Sequence, residues 1–202
     1  MRSSLSSLRA AGVMAACLVS GSALAYSTGQ SGYSGKPPAQ SCMSSTCHSG
    51  GTTPTVTLEG PASLEAGATG NYKLVITGGP GVRGGFNVGV DNGTLQPGSG
   101  QKKDASSGEL THSQPKAFSN GRVEFDFTLV APSSGGTINL YGAGNSTNYN
   151  QDEFGDGAAQ SLKAITVTGG EDDGGGCAAA GGAPLLGAVL MVLGARLGRR
   201  RK

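Results

Sequence analysis

The chain has 202 residues and a formal net charge of +2, a size that holds one domain and hardly two once its ends are set aside. Seven of the fifteen basic residues stand at the termini (Arg2, Arg9, Arg196, Arg199, Arg200, Arg201 and Lys202), whereas all thirteen acidic residues lie between Tyr26 and Asp173. The middle is thus net negative, eight basic residues against thirteen acidic; it has no basic stripe to neutralise phosphates, which argues against a nucleic-acid partner.

In chain order, Arg2 and Arg9 precede the apolar run Ala10 to Val19 and then Ser22-Ala23-Leu24-Ala25. Charged, apolar and small-residue segments in that order predict a signal peptide over 1–25 with cleavage after Ala25. The apolar run is well short of the roughly 18 residues that span a bilayer. Residues 26–52 are rich in Ser, Gly and Pro and read as an extended leader without the apolar content for a core.

Residues 53–168 carry short runs with apolar residues at every second position, bounded by Gly, Pro, Asn and Ser, the pattern of half-buried strands joined by turns. Val56 and Leu58 share one face, as do Tyr72, Leu74 and Ile76, and Phe86, Val88 and Val90 repeat the spacing before the turn signal Asp91-Asn92-Gly93. Val123, Phe125, Phe127 and Leu129 alternate with Arg122, Glu124, Asp126 and Thr128; Ile138 and Leu140 form another face, and Leu162 to Val167 the last strand. Six or seven such strands predict an all-β domain, an immunoglobulin or fibronectin III-like β-sandwich, with a closed barrel as the alternative. The sequence has no Trp, so the core rests on Phe, Leu, Val and Ile.

A polar, acidic Gly-rich linker covers 169–176, and 177–202 holds Cys177, the uncharged stretch Ala178 to Ala195 and the basic cluster. About eighteen residues at 1.5 Å rise make a helix of roughly 27 Å, enough for the hydrocarbon core, and the cluster behind it stops translocation. The expected location is the cell envelope or cell surface, with the membrane as a partner.

One segment carries chemistry. Cys42-Met43-Ser44-Ser45-Thr46-Cys47-His48 is C-x4-C-H, an expanded form of the C-x-x-C-H haem attachment sequence. Two thiols add to the haem vinyl groups and the adjacent imidazole becomes an axial ligand of the iron. A Cys42–Cys47 disulfide is the alternative in an oxidising compartment, and a zinc site is short of four ligands. The second of the two histidines, His112, is the candidate for the sixth iron position, ahead of Met43. Asn145, Asn148, Asn150, Asp152, Glu153 and Asp156 read as a solvated loop without the spaced carboxylates of a calcium hand. Ser113 beside His112 is no catalytic arrangement, Gly78-Gly79-Pro80-Gly81 is turn chemistry, and no enzyme activity is expected.

The ending, an acidic Gly-rich spacer, one Cys, an apolar helix and an Arg cluster, resembles the MYXO-CTERM type of sorting signal. That resemblance implies a sorting protease as a partner and processing, with lipidation, near Cys177. Gly35-Lys36-Pro37-Pro38, Cys47-His48-Ser49-Gly50-Gly51, Pro54-Thr55-Val56-Thr57-Leu58, Gly85-Phe86-Asn87-Val88, Glu109-Leu110-Thr111-His112 and Gly155-Asp156-Gly157 together resemble the choice-of-anchor V family, related to reelin-type (Reeler) domains. The resemblance runs from about Gly32 to Thr168 and implies an Ig-like sandwich behind a haem-binding-like Cys/His segment. Members carry C-x-x-C-H, whereas Cys42 here stands two residues further from Cys47. Two functions follow as expectations: a surface cytochrome-like domain in which Cys42 and Cys47 attach haem c, His48 and His112 bind its iron and a redox partner exchanges electrons; or a redox-silent adhesion module with a Cys42–Cys47 disulfide and an extracellular matrix ligand.

Overall fold

The computed structural model describes residues 27–38 and 48–170. The expected signal peptide with Ala25, the thiols Cys42 and Cys47, Met43, most of the expected linker, and Cys177 with the expected anchor lie outside the described residues.

Among the described residues there is no helix. The strands are β1 (Ser49–Gly50), β2 (Thr55–Glu59), β3 (Ser63–Glu65), β4 (Thr69–Thr77), β5 (Arg83–Val90) and β6 (Thr94–Gln96), then β7 (Gln101–Lys103), β8 (Leu110–His112), β9 (Lys116–Ala117), β10 (Arg122–Val130), β11 (Gly136–Thr147) and β12 (Phe154–Thr168). They form two separate sheets rather than one closed barrel. The larger has the order β1-β12-β11-β5-β8-β7, with β3 on β12 and β9 on β5; the smaller is β2-β4-β10-β6. Among the described strands only β1 and β3 run parallel to their neighbour, one near each end of β12; the other pairings are antiparallel.

The period-two alternation decides which residues meet between the sheets, because successive side chains leave a strand on opposite faces. From the small sheet come Val56, Leu58, Tyr72, Leu74, Ile76, Val123, Phe125, Phe127 and Leu129; from the large one Phe86, Val88, Val90, Leu110, Ile138, Leu140, Ile165 and Val167. Phe86 stacks on Phe125 with ring centroids 4.4 Å apart and bridges the two layers in place of the absent Trp. The Tyr72 hydroxyl, at the same apolar layer, donates to the Pro61 carbonyl at 3.1 Å.

Two differences from the sequence reading bear on the site. The last strand starts at Phe154 rather than Leu162, and β11 extends to Thr147, so that Asn145 and Asp156 stand on strands. Gly-Ala-Gly-Asn-Ser-Thr and Gly-Asp-Gly-Ala-Ala have little β propensity of their own; continuous pairing of Gly136–Ser146 with Val167–Gly157, and of Leu140–Thr147 with β5, imposes the extended conformation. The second difference is that residues 27–38 pack on the domain. Every residue of β5 from Gly84 to Val90 is buried, because the leader covers the face that points away from the core.

Candidate functional site

The outer face of β5 presents Gly85, Asn87 and Gly89, since Phe86, Val88 and Val90 fill the core. Two glycines around a short amide make a trough, and the leader lies in it. A Cβ on Gly89 would stand 2.7 Å from the Ser34 hydroxyl, and one on Gly85 would stand 2.4 Å from Cε1 of His112. Any side chain at these positions would push the covering groups away.

The leader is held mainly through alternate residues. The Gln30 carbonyl accepts from Asn87 Nδ2 at 2.6 Å. The Gly32 amide donates to Glu109 Oε2 at 2.6 Å and the Ser34 hydroxyl to Glu109 Oε1 at 2.5 Å. Lys36 Nζ donates to the Val90 carbonyl at 2.7 Å. Glu109 is only 2% exposed, and a carboxylate that deep needs its oxygens satisfied; the leader supplies both donors.

His48 is fastened to the same sheet by both ring nitrogens. Its Nδ1 lies 3.0 Å from Asp156 Oδ2 on β12, and its Nε2 lies 2.7 Å from Asn145 Nδ2 on β11. The Gly85 amide donates to Asn145 Oδ1 at 2.6 Å, which fixes the amide with its NH2 toward His48. His48 Nε2 therefore accepts, and Nδ1 carries the proton toward Asp156. Asp156, 2% exposed, also takes the Asn148 amide on Oδ1 at 2.9 Å. Backbone bonds continue the attachment: the Ser49 amide to the Glu153 carbonyl and the Gly51 amide to the Asp156 carbonyl, each at 3.0 Å.

His112 ends β8 and is 8% exposed. Its Nδ1 accepts the Phe86 amide at 3.1 Å. Burial, with a smaller contribution from the Lys102 charge, holds it below the usual histidine range, so it is neutral with its proton on Nε2. The fold thus gathers His48, His112, Asn145, Asp156 and Glu109 on one side of the large sheet, residues far apart in the chain.

An axial haem ligand offers iron the lone pair of one imidazole nitrogen and usually donates from the other. His48 fits on the Nδ1 side, where a carboxylate holds the proton; on the Nε2 side Asn145 occupies the lone pair. His112 does not fit, because Nδ1 is engaged by the Phe86 amide and Nε2 bears hydrogen. No group of three or more His, Cys, Asp and Glu suited to a metal ion occurs among the described residues. The Asn-rich segment is a chain of turns in which Asn148, Asn150 and Asp152 each accept, through Oδ1, the backbone amide two residues on, at 3.0, 3.0 and 3.1 Å.

Sequence reasoning placed Asn145 and Asp156 in a loop and left Ser34, Asn87 and Glu109 without a role. The available signal was Gly85-Phe86-Asn87-Val88-Gly89-Val90, a strand whose second face carries only glycines and one short amide and so leaves room for a covering segment. Neither the protein-family models nor the curated proteins give any match to the chain, so its function rests on this geometry.

Proposed function

We propose that the chain is an exported, membrane-tethered, Ig-like β-sandwich that works as a non-enzymatic binding module, with its Cys/His segment serving as a clasp that closes the leader over the large sheet. The observation that supports this most is the engagement of both His48 nitrogens by Asp156 and Asn145. An imidazole so held ties the leader to β11 and β12 and leaves nothing to offer a reactant. Cys42 and Cys47 then form a disulfide that shortens the returning loop, as suits an oxidising compartment. The signal peptide over 1–25 and the anchor over 177–202 supply export and tether.

A haem-bearing module is the second reading, favoured by the Nδ1 proton of His48 held by Asp156, the arrangement that orients an axial imidazole. It requires the Asn145 amide to turn away from Nε2. One experiment separates the two: intact mass and an optical spectrum of the protein expressed with haem-attachment machinery. Under the clasp reading the mass rises by two hydrogens on reduction and no Soret band is seen. A covalent haem adduct overturns that reading.

A further inference from the structure

We infer that the tip of the sandwich furthest from the tether is a self-complementary contact surface that binds the same tip on a second copy displayed on a facing membrane. The inference rests on the tethered reading proposed above. β12 runs fifteen residues from Phe154 to Thr168 and leads into the linker and anchor; at about 3.3 Å per residue its start stands some 46 Å from its end. The groups at that far end are the β11–β12 connection and the start of β5, which is paired there through Arg83 to Thr147.

Three of the four large apolar residues exposed among the described residues sit at this end: Val82 at 46%, Tyr149 at 59% and Phe154 at 61%. Scattered exposed apolar residues are ordinary, but a cluster at one pole marks a contact site. Tyr149 is held out on a left-handed backbone, φ 61°, a conformation costly for a bulky residue. The Arg83 guanidinium lies 5.1 Å from its ring centroid and covers one face of it. Asp152, exposed, and Glu153, half-buried, directly precede Phe154 in the same connection.

A cation, two carboxylates and two rings at one end of the sandwich allow a two-fold contact, in which the Arg83 of each copy meets the carboxylates of the other and rings fill the centre. The size of the patch decides its strength. Aromatic side chains present 150–250 Å² each, so two rings at these exposures offer about 240 Å², against roughly 800 Å² per partner in a stable complex. A single pair of tips is therefore too weak to persist in solution, and arrays of tethered copies hold by avidity.

The test uses the full chain reconstituted into neutral phospholipid vesicles, followed by flotation and light scattering. The expected result is that vesicles carrying the chain float with it and cluster, with a several-fold rise in apparent size. Tyr149→Ser/Phe154→Ser vesicles float, keep the parent melting profile and stay dispersed. Arg83→Glu vesicles stay dispersed alone and cluster again when mixed with Asp152→Lys/Glu153→Lys vesicles. A chain that fails to float overturns the tethered reading and this inference with it. A chain that floats without clustering, clustering that survives loss of both rings, or clustering that needs an added polysaccharide or protein overturns the inference alone.

Discussion

Replacing Glu109 with Gln tests whether the leader is part of the folded domain. The substitution keeps the shape of a side chain that is 2% exposed but exchanges one carboxylate oxygen for an NH2 that faces a donor. In the native protein the oxygens accept from the Gly32 amide at 2.6 Å and the Ser34 hydroxyl at 2.5 Å. Hydrogen bonds to a charged group contribute about 1.5–3 kcal/mol each, and one of the two is replaced by an opposed pair of donors. The expected loss is about 2 kcal/mol, and since 1.4 kcal/mol is tenfold the Gly32 amide should exchange with solvent roughly 30-fold faster. Hydrogen exchange read by NMR at Gly32, with amides of β4 as internal reference, is the assay. Ser34→Ala alone and combined with Glu109→Gln completes a double-mutant cycle, in which the two losses should fall short of additivity by about 1 kcal/mol because they share a partner. Unchanged Gly32 exchange in Glu109→Gln, or strict additivity, would show that the leader is not held as argued.

Gly89→Val places branched carbons where the Ser34 hydroxyl lies 2.7 Å from an ideal Cβ; the leader should lift off, seen as added protease cleavage within residues 27–38 while the sandwich remains intact. Asn145→Ala should remove the hydrogen bond to His48 Nε2 and leave the Gly85 amide without its acceptor, lowering stability by about 1–3 kcal/mol in urea unfolding; a change under about 0.5 kcal/mol counts against the clasp. His112 is held below the ordinary histidine range by burial, so the unfolded chain binds the extra proton first. Its contribution to stability is full above about pH 6.5 and falls as pH drops below that; melting profiles at stepped pH should show an acid slope that His112→Gln flattens, and equal slopes would contradict the assignment. Phe125→Ala removes the ring stacked on Phe86 at 4.4 Å and should cost about 3–5 kcal/mol, measured by denaturant titration.

The core was legible because its strands obey a simple alternation. Val56, Leu58, Tyr72, Leu74, Ile76, Phe86, Val88, Val90, Ile138 and Leu140 were each placed on a strand face from spacing alone, and each is buried between the sheets. What stayed hidden was set by pairing rather than by pattern. The three-residue strands β6, β7 and β8 are too short to show a period, and the glycine-rich halves of β11 and β12 are extended because their neighbours are. His48 and His112 were singled out by chemistry, but their partners Asp156, Asn145 and the Phe86 amide lie 108, 97 and 26 residues away. Such partners are read from topology rather than from local spacing. The leader is poor in apolar residues, so composition gives no sign of its packing; its attachment is polar and depends on glycines in the strand beneath it.

The placement of β1 and β3 at opposite ends of β12 bears on how copies of the chain meet one another at high concentration. A fifteen-residue border strand with a free flank would invite neighbouring copies to add their own strands and polymerise. Here short parallel segments cap both extremities, and in the stretch between them Lys163 projects from the core-facing side yet reaches solvent, opposite Leu140. Any intruding backbone would have to bury that ammonium, so crowded molecules can stand side by side without zipping into fibres.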